Sequence, residues 1–368
     1  MIYLLAGSLA FSLIQSRSRL FSEYLKRWNN KDSKEMVSEQ PEWKYLSTTG
    51  TAPLGRSSTG CAVIDDKLLV FSGERVPRVP VDSHLHILDM SNNQWEMFSQ
   101  PSEDSPWPCA RVGHATTITG GKFYLYGGRT TYEHLETLDD FWEFDPVSLA
   151  WTQLQPVPGS VWPCGLSYHA MTSTNDHIFL FGGCKTKGRS NQLWEYSPVA
   201  REWREILPLD GQGIVPTPRG GVGFCAINHR LHVLFGFDGT ALADHFAFDL
   251  HEQKWAKEEH DSGPRPPARS VTDVVALPKI GEEGVLFVFG GEAAPSALGH
   301  EGAGIFLSDT WVYDLATRQW AQQQPGPEAR GWFPSVATSD GRRVVIFGGF
   351  TGPDRINDVW VWQSQRLL

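Results

Sequence analysis

Cysteine is scarce in this 368-residue chain, and no two of its five cysteines stand close together. Cys61, Cys109, Cys164, Cys184 and Cys225 therefore make no paired motif of the kind that binds structural zinc or carries out thiol exchange. They read as thiols of a reducing, cytoplasmic compartment. The chain also lacks any Asn-x-Ser/Thr acceptor, which argues against a secretory route. Basic tracts are missing and the formal net charge is -10, so a nucleic-acid surface, which needs a basic patch, is excluded as the general function. Neither a glycine-rich nucleotide fingerprint nor a nucleophile–His–Asp arrangement occurs.

The N-terminus lacks the basic segment that opens a signal peptide. Its apolar run, Ile2 to Ile14, is too short and too interrupted by serine for a transmembrane helix. From Phe11 to Trp28, Leu13, Leu20, Phe21, Tyr24, Leu25 and Trp28 fall on one side of a helix. Residues 1–38 are expected to form a helical extension packed on the main domain. The alternative is a targeting or membrane-surface segment, which would make the protein secretory or membrane-associated.

What the sequence has in quantity is aromatic residues and turn formers: 15 Trp, 20 Phe, 36 Gly and 24 Pro. That mixture suits many short strands joined by tight turns. One phrase recurs six times, as LLVFSG, FYLYGG, IFLFGG, HVLFGF, LFVFGG and VVIFGG, at a spacing of about 55 residues. Its final pairs read as Ser72-Gly73, Gly127-Gly128, Gly182-Gly183, Gly236-Phe237, Gly290-Gly291 and Gly348-Gly349. An aromatic run follows each pair, and a tryptophan opens the next strand at Trp95, Trp151, Trp203, Trp255 and Trp320. Arginine precedes the first strand of a unit at Arg56, Arg111, Arg219, Arg269 and Arg330; the third unit has Leu166. Each unit is thus four strands with two faces to cover, and six stacked around an axis cover them. The last unit stops after its third strand, while Trp43 opens a strand-like piece upstream. The expectation is an all-β, six-bladed propeller over residues 41–362, closed by the strand near Trp43.

The segments leaving the glycine pairs begin near the axis and share one face with the arginine-led entrances. Their lead residues read as Glu74, Arg129, Cys184, Asp238, Glu292 and Phe350. The arginines either form a ring that binds an anion or a polar metabolite, or bridge blades and backbone carbonyls. Tyr132 and Trp332 shape an apolar part of that face. His114 and His169, at matching strand starts, read as structural. The fifth such segment is long and holds Glu292, Ser296, His300 and Glu301. His300 has three readings: a general acid or base, a metal ligand, or a hydrogen-bonding residue of an ordered loop.

These repeats resemble the kelch superfamily. Several phrases in order more narrowly resemble plant specifier proteins, the epithiospecifier, thiocyanate-forming and nitrile-specifier group. They are Gly73-Glu74 leading to Val79-Pro80-Val81-Asp82, Gly128-Arg129, Arg219-Gly220-Gly221, Phe235-Gly236-Phe237-Asp238-Gly239, Gly290-Gly291-Glu292 followed by Gly299-His300, and Arg330-Gly331-Trp332. The resemblance implies that Arg129 and Arg189 position a sulfate-bearing substrate. It also implies ferrous iron held by Glu, Asp and His at four-residue intervals in the fifth segment. Glu292 and His300 keep two of those positions, but Ser296 stands where the Asp belongs, and neutral serine is a poor ligand for Fe(II).

The expected function is therefore a small-molecule enzyme catalysing a lyase, isomerase or cyclisation step, without an intact specifier iron site. Catalysis falls to Glu292, His300 and Arg129, and substrate binding to Glu74, Arg129, Arg189, Asp238, Trp332 and Tyr132. No cofactor is the first expectation; the alternative is a specifier-like conversion of glucosinolate aglycones that depends on Fe(II) at Glu292 and His300. A kelch protein-interaction module, with a protein partner on the loop face, is the rival from another class. A monomer is expected.

Overall fold

A computed structural model describes residues 42–130, 136–209, 214–259, 263–296 and 304–364. The chain divides into two units, Met1–Gln40 and Pro41–Leu368. The first, with its expected helix, lies outside the described residues, as do Tyr132 and His300.

The second unit is six blades of four antiparallel strands, the first of which adds a short fifth strand, Thr49–Gly50, parallel to its outer strand. Their innermost strands are Gly60–Ile64, Ala115–Thr119, Ala170–Ser173, Gly223–Ile227, Val274–Leu277 and Ser335–Ala337. Each touches the next, and the sixth touches the first, so the ring closes around an axis. Five blades run through the sequence from the inside out. In the sixth the outer strand is Glu42–Tyr45, which pairs with Arg355–Gln363 in the register Trp43 to Trp362. The first and last described strands thus share one sheet, which leaves no propeller edge open between them.

The outer-strand tryptophans hold neighbouring blades together. Within its own blade, each sits opposite an aromatic or leucine of the third strand: Leu88–Trp95, Phe144–Trp151, Tyr196–Trp203, Phe248–Trp255 and Tyr313–Trp320. Its ring then reaches back to the preceding blade. Trp151 meets Phe71, Trp203 meets Tyr126, Trp255 meets Phe181, Trp320 meets Phe235, Trp43 meets Phe289 and Trp95 meets Phe347, all with centroids 4.9–6.4 Å apart. That cycle of six contacts is why tryptophan recurs at the repeat period. Truncating any one to alanine removes about 3–5 kcal/mol of core packing. His114 and His169 also belong to this packing, against Phe71 and Tyr126. Burial drives His114 well below its ordinary pKa and takes His169 down to about 3.

Among the described residues no helix is long and apolar enough to cross a membrane. All five cysteines are free thiols.

Candidate functional site

The five repeat arginines are structural brackets. Arg56, Arg111, Arg219, Arg269 and Arg330 are 0–1% exposed. Each binds a carboxylate with both terminal nitrogens: Asp82, Asp140, Asp244, Asp309 and Asp358 in turn. Each Nη1 also donates to the carbonyl at the first position of the glycine pair, and each Nε donates to the carbonyl two residues upstream. Guanidiniums so engaged are already saturated, so of the two readings of these five the anion-binding ring falls and the structural one, binding backbone carbonyls, stands. Removing one partner of such a buried pair costs about 3–5 kcal/mol, because the other charge is stranded. The third blade loses both partners together: Leu166 replaces the arginine, and Gln192 stands where the aspartate precedes the third strand.

The brackets fix the repeat register and correct the fourth blade by one residue. The first member of each pair has φ of 52–72° and the second 94–109°, and in the fourth blade these are Phe235 and Gly236. Arg219 accordingly donates to the Phe235 carbonyl. Only glycine takes the second conformation without strain, whereas the first is within reach of Ser72 and Phe235 at a cost of about 1–3 kcal/mol. The fourth lead residue is therefore Phe237 and not Asp238. Asp238 turns its carboxylate to Thr217 and Thr240 on the rim.

The corrected ring is Glu74, Arg129, Cys184, Phe237, Glu292 and Phe350. Each is bridged to the residue after a bracket: Ser57, Val112, Ser167, Gly220, Ser270 and Gly331. One residue further on lies an inner ring of Ser58, Gly113, Tyr168, Gly221, Val271 and Trp332, all with φ of 52–63°. That shared conformation aims each N–H at the carbonyl of the neighbouring blade. The result is a closed circuit of six backbone hydrogen bonds, 2.6–3.1 Å long, around the axis. Below it lies an axial cavity of about 350 Å³.

The two glutamates of the outer ring are in opposite states. Glu74 is 2% exposed and saturated. It accepts from Ser57 Oγ, Ser58 Oγ and the Arg78 N–H, and pairs with Arg355 Nη2 at 3.4 Å. Glu292 is 5% exposed and has no ion pair among the described residues. Among the described residues its carboxylate accepts from two backbone N–H groups, Gly304 at 3.1 Å and Ser296. Burial pushes its pKa from 4.5 up to about 7, and the two N–H donors only partly offset this.

Repeat equivalence explains the difference. Arg355 is bridged to its blade's lead residue Phe350, as Arg189 is to Cys184 and Ala241 to Phe237. The side chain at this position serves the next blade: Arg355 reaches Glu74, and Arg189 stacks over Phe237 at 4.9 Å. For Glu292 the residue supplied is Ala241. The Ser58 hydroxyl is likewise matched by the Val271 side chain.

Around these carboxylates the face divides into a cationic and an aromatic side. Arg129, in the blade opposite Glu292, holds Ser167 Oγ at 2.8 Å and the Lys185 carbonyl. Arg189 holds the Asp238 carbonyl and the Cys184 thiol. Neither guanidinium has a carboxylate partner among the described residues. On the other side Phe306 packs edge to face on Trp332 and Phe350, which are tilted against each other, with centroids 5.7–6.2 Å apart. Phe306, Arg355 and Tyr168 were missed in the sequence. Tyr168 was detectable, since it fills a place held by glycine in two other repeats.

The iron expectation is tested by the donors present. In the fifth segment Glu292 is the one charged donor described, Ser296 turns a backbone N–H onto it, and His300 lies outside the described residues. The described set falls short of an iron site. A different partial cluster stands in the first blade, where ligand atoms of Asp82, His84 and His86 lie within 4.8 Å of one another. Burial holds His86 neutral, with its pKa down to about 4, as a metal ligand requires. Both Asp82 oxygens, however, already bind Arg56.

The fold and ring are those of a kelch β-propeller. The chain matches the KLHDC2/KLHL20/DRC7 Kelch-repeats domain over residues 29–157 and 61–291, and it belongs to that family. It is similar to N-(sulfonatooxy)prop-2-enimidothioate sulfolyase of Thlaspi arvense, at 28% identity across 84% of this chain and 93% of that protein. It also resembles Kelch domain-containing protein 3 of Bos taurus, at 29% identity over 68% of this chain and 67% of the relative. Acyl-CoA-binding domain-containing protein 4 of Arabidopsis thaliana is 26% identical over 86% of this chain, which spans 46% of that protein.

Proposed function

We propose that this protein is a small-molecule enzyme of the lyase type, acting at the axial face of its propeller on an organic anion. Isomerisation and cyclisation are the sister outcomes of the same activation. The observation that carries the reading is Glu292, a buried carboxylate with a pKa near 7 and no counter-ion among the described residues, on the same face as two guanidiniums that have no carboxylate partner among those residues. A carboxyl poised there exists in both protonation states at neutral pH, which is what general acid–base catalysis requires. Arg129 and Arg189 take the anionic group, and Arg129 steadies charge as it develops on the leaving group. Trp332, Phe306 and Phe350 form the apolar wall that holds one reactive conformation.

Glu74 positions Arg355 and the inner ring, and Asp238 offers a polar contact at the rim. His300, on the same segment as Glu292, is the second proton-handling group in this reading, and Tyr132 a second aromatic contact. Iron enters no step in this reading, because neutral Ser296 stands where the resembling ligand set has an aspartate. The similarity to an enzyme whose name denotes a sulfolyase acting on a sulfonatooxy compound supports both the lyase class and an anionic substrate.

The test is incubation with a panel of small organic anions, including sulfate esters, with and without a chelator, reading products and released sulfate by mass spectrometry. Chelator-insensitive turnover that is lost in Glu292→Gln is expected. An inert panel, or activity abolished by chelation, would reject the proposal.

A further inference from the structure

The axial cavity below the hydrogen-bond circuit carries a feature that the reaction does not use. Four residues after each bracket position the chain places Gly60, Ala115, Ala170, Gly223, Asp273 and Pro334. Five of the six are small or cyclic because the side chain here points at the neighbouring inner strand. A Cβ on Gly60 would stand 2.4 Å from the Thr116 methyl, and one on Gly223 2.2 Å from a Val274 methyl. Asp273 breaks the pattern. Its Oδ2 accepts the Ser335 N–H of the next blade at 2.7 Å.

Asp273 lines the cavity wall, and no lysine or arginine lines it. His114 and His169, which also line it, are kept neutral by burial. Beside Asp273, Ser335 Oγ is buried and lacks a hydrogen-bond partner. A carboxylate in such a place either takes a proton or takes a counter-ion. Burial raises the Asp273 pKa only to about 6, which leaves it mainly ionised at neutral pH.

We infer that the axial cavity is a binding site for one monovalent cation, sodium or potassium, held by the Asp273 carboxylate with the Ser335 hydroxyl as a neutral oxygen donor. One carboxylate matches one positive charge. A divalent ion would keep an uncompensated charge in a buried place, and it ordinarily draws on several carboxylates. A volume of about 350 Å³ leaves room for the ion and part of its water shell.

The test is thermal unfolding of the full chain at fixed ionic strength in sodium, potassium or calcium chloride, against choline chloride, whose methyl-shielded charge oxygen donors cannot coordinate closely. A saturable rise in Tm of about 2 °C is expected in sodium or potassium. Asp273→Asn, which keeps an acceptor for the Ser335 N–H, should abolish the response, and Ser335→Ala should weaken the apparent affinity severalfold. Equal Tm in all four salts, a response retained by Asp273→Asn, or a larger saturable response to calcium would overturn the inference. Should Asp273→Asn not fold, rubidium-soaked crystals of the unaltered protein decide the matter. An anomalous peak beside Asp273 supports the site, and none in the cavity overturns it.

Discussion

Glu74 and Glu292 occupy the same position in two copies of one repeat, and they have opposite surroundings. In the first blade the carboxylate meets a guanidinium, two serine hydroxyls and a backbone N–H. In the fifth it meets two backbone N–H groups. The backbone bridge is the same in both: Ser57 to Glu74 and Ser270 to Glu292. What differs is two neighbouring side chains, Arg355 against Ala241 and Ser58 against Val271. A repeat fold can thus hold equivalent carboxylates in unlike surroundings, and in the function proposed above Glu292, which has fewer partners among the described residues, is the reactive one.

The largest expected effect lies on the reactive side. Glu292→Gln should lower turnover by roughly 10²–10⁴-fold, the worth of a positioned general acid or base, while the protein keeps its fold. Steady-state kinetics beside circular dichroism separate the two. Glu74→Gln should do the reverse, destabilising the propeller by about 3 kcal/mol because Arg355 loses its buried partner. Denaturant unfolding measures this, and a loss below about 1 kcal/mol would show that Glu74 is not the saturated member of the pair.

The pH dependence of stability gives a smaller signature. Glu292 has a folded pKa raised from 4.5 to about 7, so the folded state holds this proton more tightly than the unfolded chain does. Its contribution is fully present below about pH 4.5 and is lost as pH rises toward 7, at about 1.4 kcal/mol per pH unit within that window. Comparing unfolding free energies of the unaltered protein and Glu292→Gln from pH 4 to 8 should show the gap change in that direction. The subtlest prediction converts one blade into the other. Ala241→Arg with Val271→Ser should give Glu292 the partners of Glu74. It should lower the Glu292 pKa by at least about one unit, the usual effect of a nearby guanidinium, and reduce activity near neutral pH without loss of stability.

The six repeats were legible because glycine pairs and tryptophans recur for a physical reason: left-handed turns and interblade contacts. The fourth pair was misread by one residue. Phe235 accepts the left-handed conformation that a glycine usually holds there, so HVLFGF offered two registers, and only the Arg219 bracket chooses between them. The same alignment hides the key fact about the fifth blade. The lack of a counter-ion for Glu292 among the described residues follows from Ala241 and Val271, residues that draw no attention in a sequence until Arg355 and Ser58 show what their equivalents do. Asp82 with His84 and His86 was passed over because its carboxylate belongs to a bracket and its histidines to a strand pattern.

The most direct measurement is a pH titration of the glutamate side-chain carboxyls by carbon NMR, with Glu292 assigned by its loss in Glu292→Gln. A midpoint near 7 for Glu292 is predicted from its burial. A midpoint in the ordinary glutamate range, about 4.3, would contradict the account, because a carboxylate that is fully ionised at neutral pH could not serve as the proton donor of this site.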